Sequence, residues 1–153
     1  MMDIDSMSEI IPSESKHSKT KESNDYLYKY IKTKISFNKG GKWNYLIPPE
    51  TDSEGKKYEC EHDCYLHLAS QSSYFPSVYS VSSAVGLIIG NGNVGKYLAN
   101  EEDQISTFLS RDGGLSWFEV NLKLNKIKKG PHIYEFGDHG GLIIIAEQDV
   151  YTQ

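Results

Sequence analysis

The side chains best suited to chemistry lie in three short stretches. Gly90-Asn91-Gly92-Asn93-Val94-Gly95-Lys96 satisfies both the GxGxxG and the GxxxxGK spacing and directly follows the apolar run Val85–Ile89. Backbone N–H groups in such a loop, backed by a helix N-terminus, would hold phosphate. Tyr97 stands where a phosphate loop needs Ser or Thr for magnesium, and the stretch before the next apolar run at Ile105 is short for a crossover helix with its loops, roughly 10–12 residues or more. A glycine-rich turn between strands is the better reading. Cys60 and Cys64, with His62 and His67, put soft metal ligands close together, but the spacing matches no standard zinc finger. A disulfide in an oxidising compartment and two thiols in a reducing one are the alternatives. Glu135, Asp138 and His139 suggest acid–base work. No nucleophile is positioned with them, alternation sends Glu135 to the face opposite Tyr134 and Phe136, and Asp138 and His139 read as turn residues. No catalytic, cofactor or metal site is assigned.

The elements that would position these groups belong to a chain of 153 residues carrying 16 Lys+Arg against 21 Asp+Glu, a net charge of -5. The length suits one domain. The acidic balance argues against a surface that tracks phosphates, so nucleic acid is not an expected partner. Eleven tyrosines among few aliphatics imply a small, tyrosine-rich core. The longest aliphatic run, Leu142 to Ala146, falls far short of the ~18–20 residues a membrane span needs. Residues 1–25 are polar throughout, without the apolar stretch of a secretory signal, and read as a disordered tail. Arg111 is the only arginine.

From Tyr26 the composition changes. Tyr26–Phe37 alternates, with Ile31, Thr33, Ile35 and Phe37 on one face, which predicts a half-buried strand. Further strands are expected around Trp43–Leu46, Val85–Ile89, Ile105–Leu109, Trp117–Val120, His132–Phe136 and Leu142–Ala146, with a turn at 137–141. Leu142–Ile145 is apolar at every position, the pattern of a strand buried on both faces. Residues 48–80, with Pro48, Pro49, Pro76 and both cysteines, read as a long irregular insertion. The one competing helix is Lys96–Gln104. Short strands between Gly/Asn/Asp turns make the fold class all-β.

One template occurs twice. Ser36, Asn38, Gly40 and Trp43 match Ser110, Asp112, Gly114 and Trp117 in type and spacing, each set between predicted strands. The Asn or Asp oxygen would accept backbone N–H groups ahead of it, the Gly would supply a positive φ, and the Trp would plug between sheets.

The template resembles the Asp-box, the hairpin repeat of sialidase-like and sortilin-like β-propellers, where it is structural. The segments Gly40–Trp43, Pro48–Ser53, Cys60–Leu68, Val85–Ile89, Gly92–Gly95 and Gly130–Leu142, in that order, resemble the luminal domain of sortilin-type vacuolar protein-sorting receptors. The resemblance covers about residues 30–148. It implies antiparallel blade strands of a propeller over 26–153, with about one complete blade and parts of two neighbours. It also implies a disulfide between Cys60 and Cys64. Its functional implication is a receptor fragment that binds soluble vacuolar hydrolases in Golgi-to-endosome transport, with hydrolase precursors or another propeller fragment as partners. The family sits in Golgi and endosomal membranes with the propeller luminal. This sequence shows no signal peptide, membrane span or tail, and Asn121–Lys129 adds an extra stretch after the second box. A truncated paralogue without independent activity is therefore the competing expectation. A sialidase-type glycosidase would need an arginine cluster to grip a substrate carboxylate, and Arg111 alone cannot form one.

Overall fold

A computed structural model of the chain describes residues 31–59, 62–69, 77–120 and 130–147. The tail at 1–25, residues 26–30, Cys60 and the stretch Asn121–Lys129 lie outside the described residues. Within them, the strands are β1 (Lys34–Ile35), β2 (Asn44–Tyr45), β3 (Tyr65–Leu68), β4 (Ile88–Gly95), β5 (Ser106–Ser110), β6 (Phe118–Glu119), β7 (His132–Gly137) and β8 (Leu142–Glu147). Strands β3-β4-β5-β6 form a four-stranded meander, flanked by the pairs β1-β2 and β7-β8, and every pairing is antiparallel. The fold is all-β, and its helical content among the described residues is two short 3-10 turns, Glu102–Gln104 and Asp138–Gly140.

The meander is a middle layer, and its longest strands show why. Ile88 and Ile89 are consecutive, so their side chains leave β4 on opposite faces. Ile88 joins Ile35, Leu46, Leu66, Leu68, Phe108 and Trp117 in one core. Ile89 joins Ala84, Leu109 and Phe136 in the other. The first core lies against the β1-β2 side and the second against β7-β8. Each buried aliphatic or aromatic side chain of this size contributes about 1.5–3 kcal/mol, so neither face holds without its neighbouring layer. A whole blade with parts of its two neighbours is therefore the arrangement present.

Several expectations are corrected. Val85–Ile89 is not a strand: Gly86, at φ 82°, turns the chain, and β4 starts at Ile88. The glycine-rich stretch 90–95 is not a turn but the body of β4, because its glycines let neighbouring strands approach closely. A Cβ on Gly92 would stand 1.9 Å from the His67 carbonyl oxygen. Lys96–Gln104 forms only the 3-10 turn at its end. The insertion at 48–80 is not irregular throughout. It supplies β3 to the central sheet, its Thr51–Lys57 bridge closes a local loop, and its Tyr79–Ile89 bridge ties its far end to β4. Phe37 does not share the buried face of Thr33 and Ile35, since the chain has already entered its turn. Leu142–Ile145 is covered on one face only: Ile143 and Ile145 pack inward, while Leu142 and Ile144 are each 52% exposed.

The insertion is also held by polar contacts. Buried Glu119 on β6 accepts hydrogen bonds from the hydroxyls of Tyr58 and Ser53. Burial, reinforced by that carboxylate, pushes the Tyr58 phenol well above its ordinary value. Gly92→Ala is expected to cost upwards of about 3 kcal/mol, because the steric conflict is with backbone rather than a flexible side chain. Chemical denaturation of the variant checks this, and a midpoint like that of the parent chain would contradict the close β3–β4 approach.

Candidate functional site

The two repeated corners have the same hydrogen-bond geometry, built around the serine. At the first, Ser36 Oγ donates to Asn38 Oδ1 at 3.1 Å and accepts the Gly40 N–H at 2.8 Å and the Asn38 N–H at 3.4 Å. At the second, Ser110 Oγ donates to Asp112 Oδ1 at 2.8 Å and accepts the Gly114 N–H at 2.8 Å and the Asp112 N–H at 3.4 Å. The Asn or Asp oxygen then reaches ahead, Asn38 Oδ1 to the Lys42 N–H at 2.8 Å and Asp112 Oδ1 to the Ser116 N–H at 2.9 Å. Ser116 Oγ adds a further bond to Asp112 Oδ2 at 2.5 Å.

Glycine is required at the fifth position of each corner. Gly40 has φ 83° and Gly114 φ 92°, and a Cβ on Gly114 would also lie 2.5 Å from Ile35 Cδ1. The fourth position is left-handed too, at φ 58° for Lys39 and φ 73° for Gly113. Trp117 is buried in the first core, and its indole N–H donates to the Gly114 carbonyl at 3.1 Å. Trp43 is only half-buried, with its ring beside Gly40. Both corners therefore brace hairpins, and neither gathers groups around a reactive atom.

The polar side chains that sequence reasoning passed over lie between layers. Asn91, Thr107 and His132 are all buried at the interface of the meander with β7. Asn91 Nδ2 donates to the His132 carbonyl at 2.8 Å, and Asn91 Oδ1 accepts the His132 N–H at 3.1 Å. Thr107 Oγ1 gives its proton to Asn91 Oδ1 at 2.9 Å, so its contact with His132 Nδ1 at 3.0 Å requires Nδ1 to donate. On the other side, Thr33 Oγ1 accepts the Leu68 N–H at 2.9 Å and donates to the Leu68 carbonyl at 3.1 Å. The alternating pattern around these residues marks the strands, but it gives no sign that Asn or Thr would pair with a distant backbone.

His67, one of the candidate zinc ligands, is fully buried with both ring nitrogens engaged. Nδ1 accepts the Thr33 N–H at 3.1 Å, and Nε2 lies 3.2 Å from the Gly95 carbonyl, which can only accept. The neutral tautomer with its proton on Nε2 follows. Burial holds the imidazole at about 4 rather than 6.5, and nearby Lys32 adds a smaller push in the same direction. Cys64 is disulfide-bonded. Cys60, the chain's other cysteine, lies outside the described residues, and His62 is exposed. No three metal-ligating side chains converge among the described residues. Asp138 and His139 occupy the 3-10 turn at positive φ, while Glu135 accepts from the Tyr79 hydroxyl. Arg111 lies in the second corner with its guanidinium over the Phe118 ring at 5.4 Å.

Paired box corners on a four-stranded antiparallel meander flanked by further strand pairs define a piece of a β-propeller. The family described as sortilin, neurotensin receptor 3 matches residues 9–153, and the chain belongs to this Sortilin-Vps10 family. An uncharacterized membrane glycoprotein of Saccharomyces cerevisiae is 44% identical over 128 residues, covering 80% of this chain and 11% of that protein. The vacuolar protein sorting/targeting protein PEP1 of the same species is 42% identical over 130 residues, covering 81% of this chain and 8% of that protein. Vacuolar protein sorting/targeting protein 10 of Clavispora lusitaniae is 43% identical over 123 residues, covering 76% of this chain and 8% of that protein. The chain thus spans about a tenth of the length of these relatives.

Two predictions follow from the corners and from His67. Ser110→Ala is expected to cost about 1–3 kcal/mol, since it leaves the buried Gly114 N–H without an acceptor, and Lys39→Gly to add up to about 1 kcal/mol by relieving a left-handed lysine. Denaturant titration of both variants reads these signs. The second concerns pH. His67 in the fold resists the proton that the unfolded chain takes up near pH 6.5, so its stabilisation is complete above that value and declines as pH falls towards about 4. Asp112, held near 2 instead of 3.8 chiefly by the Ser116 hydroxyl and N–H, adds a further loss between those values. The melting temperature should fall from pH 6.5 to 4, and His67→Gln should flatten that limb. A slope unchanged in His67→Gln would refute the assignment.

Proposed function

We propose that the chain is a blade-bearing part of a sorting receptor that recognises soluble hydrolase precursors on their way to the vacuole, and that it is a binding module rather than an enzyme. The observation that carries this reading is the meander with its paired corners: polar side chains are spent on holding strands, and the solvent-facing surface is left for recognition. Family membership and the similarity to vacuolar protein sorting/targeting proteins support the direction of the reading. Against glycosidase chemistry, the only arginine is taken up at a corner, stacked on Phe118. In this reading the eight corner residues are structural, and the disulfide of Cys64 closes on Cys60.

A second reading has an observation of its own. The outward face of β7-β8 presents Ile133 at 48% exposure beside Leu142 and Ile144. Apolar faces of this kind favour association, so a piece of propeller without activity of its own is the alternative. The purified chain separates the two. A binding module is expected to run as a single species, to unfold in one cooperative transition, and to bind a vacuolar hydrolase precursor saturably in calorimetry. Aggregates that bind apolar dye, with no unfolding transition and no heat of binding, would establish the second reading.

A further inference from the structure

The chain is acidic, yet three of its lysines gather around three tyrosines at one edge of the fold. Lys32 Nζ lies 5.3 Å from the Tyr45 ring centroid, 5.8 Å from Tyr65 and 5.3 Å from Tyr97. Lys34 Nζ lies 5.2 Å from Tyr45, and Lys96 Nζ 5.6 Å from Tyr97. Tyr45 on β2 and Tyr65 on β3 stack with centroids 4.3 Å apart. Lys32 precedes β1, Lys34 lies on it, and Lys96 and Tyr97 follow β4, so the cluster draws on β1, β2, β3 and the chain just beyond β4. None of the six side chains is buried.

One lysine over these rings would suffice to pin the entering segment, which is already held where the Ile31 carbonyl accepts the Leu98 N–H and the Thr33 N–H donates to the His67 ring. Lys96 beside the same rings adds like-charge repulsion that pinning does not require, whereas Lys34 has a further partner of its own. Ring faces stabilise a cation without offering oxygen acceptors to its three N–H donors. Lys32 and Lys96 form no ion pair among the described residues. The patch is thus preset for carboxylates arriving from outside, with tyrosine faces between them for an apolar or aromatic side chain.

We propose that this lysine–tyrosine patch is a docking surface for a short, extended acidic segment of a partner protein. The class of partner follows from charge. A net charge of -5 repels an extended polyanion such as an anionic membrane or a nucleic acid. A segment of a few residues feels mainly the charges within a Debye length, about 8–10 Å at physiological salt, and at this surface it meets the ammonium groups of Lys32 and Lys96. This surface is distinct from the corners and does not rest on the hydrolase reading.

The test uses the full chain and a fluorescein-labelled Glu-Pro-Glu-Tyr-Glu-Pro-Glu peptide, read by fluorescence anisotropy. Saturable binding is expected, weakening about tenfold as ionic strength rises from about 0.01 M to about 0.15 M. Lys96→Gln, at an exposed position, should weaken it about fivefold, the upper range for one exposed charge pair, while Lys56→Gln leaves it unchanged. Tyr97→Phe, which keeps the ring, should bind as the parent does. Absence of saturable binding, equal affinity for the same peptide with lysines in place of glutamates, or equal weakening by Lys56→Gln would overturn the proposal. So would a preference for phosphatidylserine vesicles over the peptide, which would assign the patch to a membrane instead.

Discussion

The structure depends on a sheet that must be covered on both faces. Ile88 and Ile89, adjacent on β4, belong to different cores, as do Phe108 and Leu109 on β5. A sheet patterned this way cannot turn one face to water, so its stable unit is a stack of layers rather than a single sheet. The β1-β2 pair and the β7-β8 hairpin supply those layers. The same requirement reappears at the end of the stack. Strand β8 carries Leu142, Ile143, Ile144 and Ile145 in succession, a sequence suited to cover on two sides, and the described residues cover only one. Leu142 and Ile144 are the outward half of a pattern whose inward half, Ile143 and Ile145, is already packed. This is how sheets stacked around a ring are patterned, each serving as cover for the next.

Much of this architecture was readable from residue types. The all-β class, the hairpin ending in β8 and the two corners follow from alternation and from Ser, Asn or Asp, Gly and Trp at matching intervals. What escaped reading had local causes. Gly86 looked like part of an apolar strand, but its positive φ places the turn there and moves the strand onto the glycines beyond it. Glycine normally signals a turn, and at Gly92 it signals the approach of the His67 backbone instead, which depends on a partner strand 25 residues away in sequence. Strand β3 was hidden by the prolines, cysteines and serines around it. The interlayer contacts of Asn91, Thr107 and His132 were unreadable for a deeper reason: each residue is ordinary in its own segment, and only the stacking of segments makes it a partner.

The corners show how one device tolerates change. In both, the serine hydroxyl serves as a hub for two backbone N–H groups and the Asn or Asp oxygen reaches four residues ahead. An amide and a carboxylate fill the same place, because the geometry needs an acceptor and not a charge. The difference lies in response to acid. Asn38 has no proton to gain, whereas Asp112 keeps its charge through the donors of Ser116. The fourth position varies similarly. Gly113 adopts the left-handed conformation freely and Lys39 does so under strain, so the first corner carries a cost that the second avoids. The first corner also leaves its tryptophan half-exposed, while Trp117 is packed into a core. The second corner is thus the more firmly anchored of the two.

Apolar contact gives the layers their adhesion but does not by itself fix how they are aligned, since aliphatic surfaces can slide or be repacked at modest cost. Alignment comes from two side chains that act as short stretches of backbone. Thr33 takes both the N–H and the carbonyl of Leu68, tying the segment before β1 to the meander. Asn91 takes both the N–H and the carbonyl of His132, tying β7 to the opposite face. Each pairing is directional, each lies in a buried site, and each would leave two backbone groups unsatisfied if the layers shifted by a residue. The division of labour is therefore physical. Isoleucine, leucine and phenylalanine make the stack stable, and one threonine and one asparagine select a single register for it.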